Sequence, residues 1–180
     1  MLGVLKEILA VMLFEPKPIA NYQKISEKPL ALILLLMVVT IGYISPIRGA
    51  SFFGNYLFLS LATYLVIYIA AVFFQYWFRL KGINVELKAL FVMITLALAM
   101  NILILPNYIL ARYFDLFVPL YINLVLVSYS VFVFVFAFAK SLDNLSYALI
   151  GTVLCTLPVF LMLAILHALF ISFGLLPMPV

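Results

Sequence analysis

Few side chains in this sequence could do acid–base or metal chemistry, and they stand apart from one another. The six acidic residues, Glu7, Glu15, Glu27, Glu86, Asp115 and Asp143, all fall outside the long apolar runs. His167 is the single histidine and Cys155 the single cysteine. A zinc site takes three or four ligands, and no carboxylate or thiol stands near His167 in sequence to complete one. One cysteine makes no intrachain disulfide, and Cys155 reads as a small packing residue. The residues predict no enzyme, metal site or cofactor. Proton pumps and ion pathways place ionisable groups at mid-membrane, and none lies there. What remains is amide chemistry: Asn101 and Asn123 sit inside apolar runs.

The elements that carry these residues follow from composition. The chain has 180 residues, 69% of them hydrophobic and 9% charged. Soluble domains carry roughly 45–50% apolar and about 25% charged residues. In lipid every backbone polar group must be bonded internally, which leaves helices or closed barrels. Barrel strands alternate apolar and polar positions, whereas these runs are continuous. The expected fold is all-α: a polytopic transmembrane bundle of five spans. The spans run over about 30–47, 53–78, 87–105, 116–139 and 145–173, forming one domain over 30–180. The net charge of +4 is spread along the chain. A nucleic-acid partner would need a clustered basic face.

Residues 1–29 form an N-terminal arm. Its first 14 residues are mostly apolar and too short to cross about 30 Å of hydrocarbon. Glu15-Pro16-Lys17-Pro18 follows in place of a small-residue cleavage site, so the segment is expected to be retained. It reads as an amphipathic helix in the headgroup plane, or as one docked on the spans through Leu5, Ile8, Leu9 and Met12. Ile19, Tyr22 and Ile25 recur every three residues, which predicts a second short helix. Lys17, Lys24 and Lys28 are expected lipid-surface contacts. Pro29 suits the first position of the next helix.

Eight of the ten cations, Lys6, Lys17, Lys24, Lys28, Arg79, Lys81, Lys88 and Lys140, fall on one side of this layout. Arg48 and Arg112 fall on the other. The positive-inside rule then predicts a cytoplasmic N-terminus and an outside C-terminus, in a plasma membrane. Aromatics mark both interfaces: Tyr76, Trp77 and Phe78 inside, and Phe52, Phe53, Tyr56, Tyr108 and Tyr113 outside. Asn101 lies about 20 Å from Lys88, and Asn123 about 10 Å from Leu116, at 1.5 Å per residue. In a core about 30 Å thick they share a depth, which predicts an intramembrane polar pair or a polar substrate site. His167 falls about 33 Å from Leu145, near the outer interface. Ala148, Gly151, Thr152, Cys155 and Thr156 recur at spacings of three and four. They form a helix-packing face, for packing within the chain or a dimer seam. Pro158 should kink that helix, with Thr156 or a neighbour bonding the freed carbonyl.

Three segments resemble prokaryotic members of the YIP (Ypt-interacting-protein domain) family. They are the arm LFEPKPIANYQKISEKPL, the loop and span RLKGINVELKALFVMITLALAMNILILP, and the last span LDNLSYALIGTVLCTLPVFLMLAI. The resemblance covers most of the chain and is carried by layout. It implies five spans, a cytoplasmic N-terminus and no catalytic residue. Eukaryotic members bind small prenylated GTPases through cytoplasmic N-terminal regions. This arm is only about 29 residues and has no DLYGP-type motif, which argues against small-GTPase binding. The expected function is that of a membrane-organising or adaptor protein without enzymatic activity. Its partners would be the bilayer and other membrane proteins or a second copy. The alternative is a small channel or transporter subunit with a polar site around Asn101 and Asn123.

Overall fold

The structure, a computed structural model, describes residues 2–13, 15–44, 46–114 and 118–177. Asp115, the expected start of span four at Leu116, and the last three tail residues lie outside these. Among the described residues the α-helices are α1 (Leu2–Met12), α2 (Glu27–Ile44), α3 (Phe52–Arg79), α4 (Leu87–Leu98), α5 (Ile104–Phe114), α6 (Val118–Leu142) and α7 (Leu145–Ser172). Short 3₁₀ stretches occupy Ile19–Lys24 and Ala99–Leu103. Five helical segments are long and apolar enough to span a membrane: Glu27–Ile44, Phe52–Arg79, Leu87–Leu110, Tyr121–Leu142 and Leu145–Ser172. The chain is a polytopic transmembrane helix bundle.

Local chemistry explains where the helices differ from the expected boundaries. α2 starts at Glu27, so Pro29 is its third residue and not its first. The first four N–H groups of a helix have no internal partner, so a proline there forfeits nothing. Pro106 likewise sits in the first turn of α5 and does not close span three. Proline cannot bond the carbonyl four residues back, and its ring crowds it. The chain tightens into the 3₁₀ stretch Ala99–Leu103 just before it, and Ile104 N–H donates to the Asn101 backbone carbonyl. α6 continues to Leu142, so Lys140 lies in its last turn and not in a loop. Asp143 then turns at φ 51°, and Asn144 Oδ1 caps α7 by accepting from Tyr147 N–H at 2.8 Å.

α4 is the central element. Most of its length is enclosed: Ala89, Leu90 and the run Val92–Ala97 are buried. It touches α1, α2, α3, α6 and the Ile19–Lys24 stretch. α3 lies between α2 and α7, and α7 returns against α6. Phe74 of α3 and Phe138 of α6 stack at 4.0 Å between ring centres at the heart of this core. Leu124, Val153, Leu157, Phe160 and Leu161 on α6 and α7 point outward and are about two-thirds exposed. Such a belt would aggregate in water and suits hydrocarbon.

The arm folds back on the bundle. α1 packs on α4 and α6, with Val11 only 1% exposed and Val4 and Ile8 against the core. Leu9, expected among the docking residues, is instead 50% exposed; the side chains of Leu5 and Met12 lie outside the described set. A 3₁₀-helix has three residues per turn, so residues three apart share a face. That is why Ile19 and Tyr22 are buried together, with Ile25 packed beside them.

Candidate functional site

Three polar or aromatic constellations join the helices. The first is an amide bridge. Asn107 Nδ2 donates to Asn123 Oδ1 at 2.6 Å, joining α5 to α6. The expected pair, Asn101 with Asn123, is thus corrected: Asn101 Oδ1 is buried with no hydrogen-bond partner. The reason is the continuation of span three through Pro106. Asn107 of α5 and Asn123 of α6 stand level where those two helices pack. The sequence points to Asn107 only if the helix is carried past Pro106. Asn107→Leu and Asn123→Leu should each destabilise the protein. A double-mutant cycle in bicelles should give a coupling of about 1 kcal/mol, and additive losses would reject the bridge.

The second constellation is where α7 meets α3. Trp77 Nε1–H donates to the Tyr147 carbonyl at 3.2 Å. The Tyr147 hydroxyl donates to the Trp77 carbonyl at 3.2 Å. Their rings stack 4.5 Å apart, so each residue holds the other's backbone. The indole lies over Gly151, where a Cβ would come within 2.5 Å of Nε1. Ala148, Gly151 and Cys155 are buried on this side, Thr152 is half-buried and Thr156 is exposed. The small-residue face therefore serves packing within the chain, and Thr156 does not belong to it. Thr156 turns its hydroxyl onto the Val153 carbonyl at 2.6 Å, and Thr152 bonds the Ala148 carbonyl at 2.8 Å. α7 runs through half-buried Pro158 as one helix. His167 is exposed and meets Phe58 edge-on at 5.8 Å. Among the described residues no group of three possible metal ligands converges.

The third constellation holds the arm. Lys17 Nζ pairs with the Glu7 carboxylate, and Lys17 N–H donates to the Tyr22 hydroxyl at 3.1 Å. Burial, with Glu7 nearby, pushes the Tyr22 phenol above its ordinary value, partly countered by the Lys17 N–H. Of the lysines expected at the lipid surface, Lys24 and Lys28 are exposed. Lys17 is engaged by Glu7 across the arm. No family model, curated protein or solved structure matches this chain.

What these arrangements do is mechanical. The amide bridge fixes α5 against α6, the Trp77–Tyr147 pair fixes α3 against α7, and Tyr22 fixes the arm against α4. Lys81 adds a cation over the Tyr147 ring at 4.6 Å, placing charge at the arm end of α3 where headgroups lie.

Proposed function

We propose that this chain is a non-enzymatic membrane-organising protein of the adaptor type, as its YIP resemblance implies. Its folded arm would serve as a recognition surface for other membrane proteins. The observation that carries this reading is the docking of the arm. Val11, Ile19 and Tyr22 face inward, which leaves Leu9, Leu13, Lys6, Lys24 and Lys28 outward. A rigid face of mixed apolar and basic character binds without first losing chain entropy. The distribution of cations supports a cytoplasmic arm and an outside C-terminus in a prokaryotic plasma membrane.

The test is a photo-crosslinking amino acid at Leu13 or Lys24, compared with one at Leu124, in native membranes. Discrete protein adducts are expected from the arm and lipid adducts alone from Leu124. Lipid adducts alone from all three positions would overturn the adaptor reading. Reporters fused at the two ends test the orientation, and a cytoplasmic signal from both would overturn it.

A channel or transporter subunit is the second reading. It is favoured by the 3₁₀ break at Ala99–Leu103, inside a span, beside the unpartnered side-chain carbonyl of Asn101. Broken helices with exposed polar backbone build transporter sites. On that reading Asn101→Leu abolishes solute release from protein-loaded vesicles while leaving stability intact. Release that is absent in the wild type would reject it.

A further inference from the structure

We propose that the bundle seats one phospholipid between α2 and α3, in the leaflet on the arm side. Its headgroup would carry a primary ammonium beside the phosphate, with Lys88 on the phosphate and Glu27 on the ammonium. This does not depend on the adaptor reading, because it concerns a different face of the molecule.

The groove arises from how α2 and α3 diverge. At the end away from the arm they touch: a Cβ on Gly42 would lie 2.7 Å from Tyr56 Cε1. Only glycine lets the backbone come so close to the ring. Toward the arm a cavity of about 450 Å³ separates the two helices. Leu30 and Leu34 of α2 form one wall, Tyr64 and Tyr68 of α3 the other, and Phe91 of α4 the floor. This volume lies within the roughly 300–1,000 Å³ of small-molecule sites. It is sized for one acyl chain, with the rest of the lipid left in the bilayer. Tyr64 and Tyr68 stack on each other and are about half exposed, so the wall is preformed and faces sideways into lipid.

The mouth selects the headgroup. Lys88 Nζ and Glu27 Oε1 stand 3.7 Å apart, beyond hydrogen-bond length. The Lys88 side chain is 48% exposed and that of Glu27 86% exposed. Two opposite charges lie side by side at the start of two spans without a hydrogen bond between them. An anionic headgroup would satisfy Lys88 and be repelled by Glu27. A quaternary ammonium has no hydrogen to donate to Glu27. A primary ammonium has three, and its attached phosphate reaches Lys88, so both charges are matched.

The experiment is native mass spectrometry of the full chain with equal amounts of dioleoyl phosphatidylethanolamine, phosphatidylcholine and phosphatidylglycerol. One phosphatidylethanolamine should be retained per chain, about three-fold over the other two, the ratio that a solvent-exposed charge pair supports. Glu27→Gln, at an exposed position, should erase that preference. Ala31→Trp, which fills the groove from its exposed edge, should eject the bound lipid, with a melting curve reporting that the fold is intact. If Ala31→Trp fails to fold, the Glu27→Gln result decides alone. Equal retention of the three lipids, a preference for phosphatidylglycerol, or a preference unchanged in Glu27→Gln would overturn the proposal. So would a dimer that Ala31→Trp disrupts, since a second copy would then be the occupant.

Discussion

Trp77→Ala is expected to destabilise the bundle by about 2–3 kcal/mol, below the range for a tryptophan deleted from a water-soluble core, because the indole is only half-buried. Between helices in lipid the hydrophobic effect gives little, because lipid tails are as apolar as leucine. Close packing and hydrogen bonds carry the association instead. Trp77 supplies both: the stack on Tyr147, a second stack on Phe73 at 5.8 Å, and the Nε1 bond to the Tyr147 carbonyl. The alanine variant loses all three and leaves a cavity over Gly151. Trp77→Phe keeps most of the contact and loses the N–H, so about 1 kcal/mol is expected. Gly151→Leu attacks the same contact from α7 and should cost about 1–3 kcal/mol through overpacking. Reversible unfolding in bicelles measures all three. A Trp77→Ala loss smaller than that of Trp77→Phe would refute the account.

Tyr22→Ala is expected to release the arm. Tyr22 is 1% exposed, and truncating a buried aromatic costs about 3 kcal/mol or more. That corresponds to roughly a hundred-fold larger open population, or more. Cleavage by trypsin after Lys24 should accelerate by about the same factor, because proteolysis of a transiently opened segment tracks its population. Lys24→Glu and Lys28→Glu variants, each read for cleavage elsewhere in the arm, should change the rate far less, since neither side chain is buried. A rate in Tyr22→Ala within about threefold of wild type would mean that lipid contact, not docking, holds the arm.

The same phenol makes docking pH-dependent. Its folded-state value is raised from the ordinary 10.0 by burial, so the docked arm holds the proton more tightly than the released arm. The stabilisation is complete below about pH 10 and falls as pH rises through the raised value. Cleavage of the wild-type arm should therefore accelerate above about pH 10, and in Tyr22→Phe this component should vanish.

The residue types alone determined that five spans form, and nearly where they end. In lipid each helix must satisfy its own backbone, so an apolar run of sufficient length is a local instruction. The caps are local too: Ser51 accepts from Gly54 N–H at 3.0 Å, and Asn144 opens α7. The three-residue spacing of Ile19, Tyr22 and Ile25 already contained the 3₁₀ face. Tertiary structure decided everything that depends on how a helix is rotated about its axis. Helices apolar on all sides carry no stripe to show which face turns inward. Thr156 and Cys155 are neighbours in sequence, yet one faces outward and the other is buried. Asn123 could have met any amide at its depth, and only the passage of the helix through Pro106 brought Asn107 there. The arm's apolar residues suit lipid and protein equally by composition. It took the surface of α4 to decide which of them, Val11 and Tyr22 among them, turn inward.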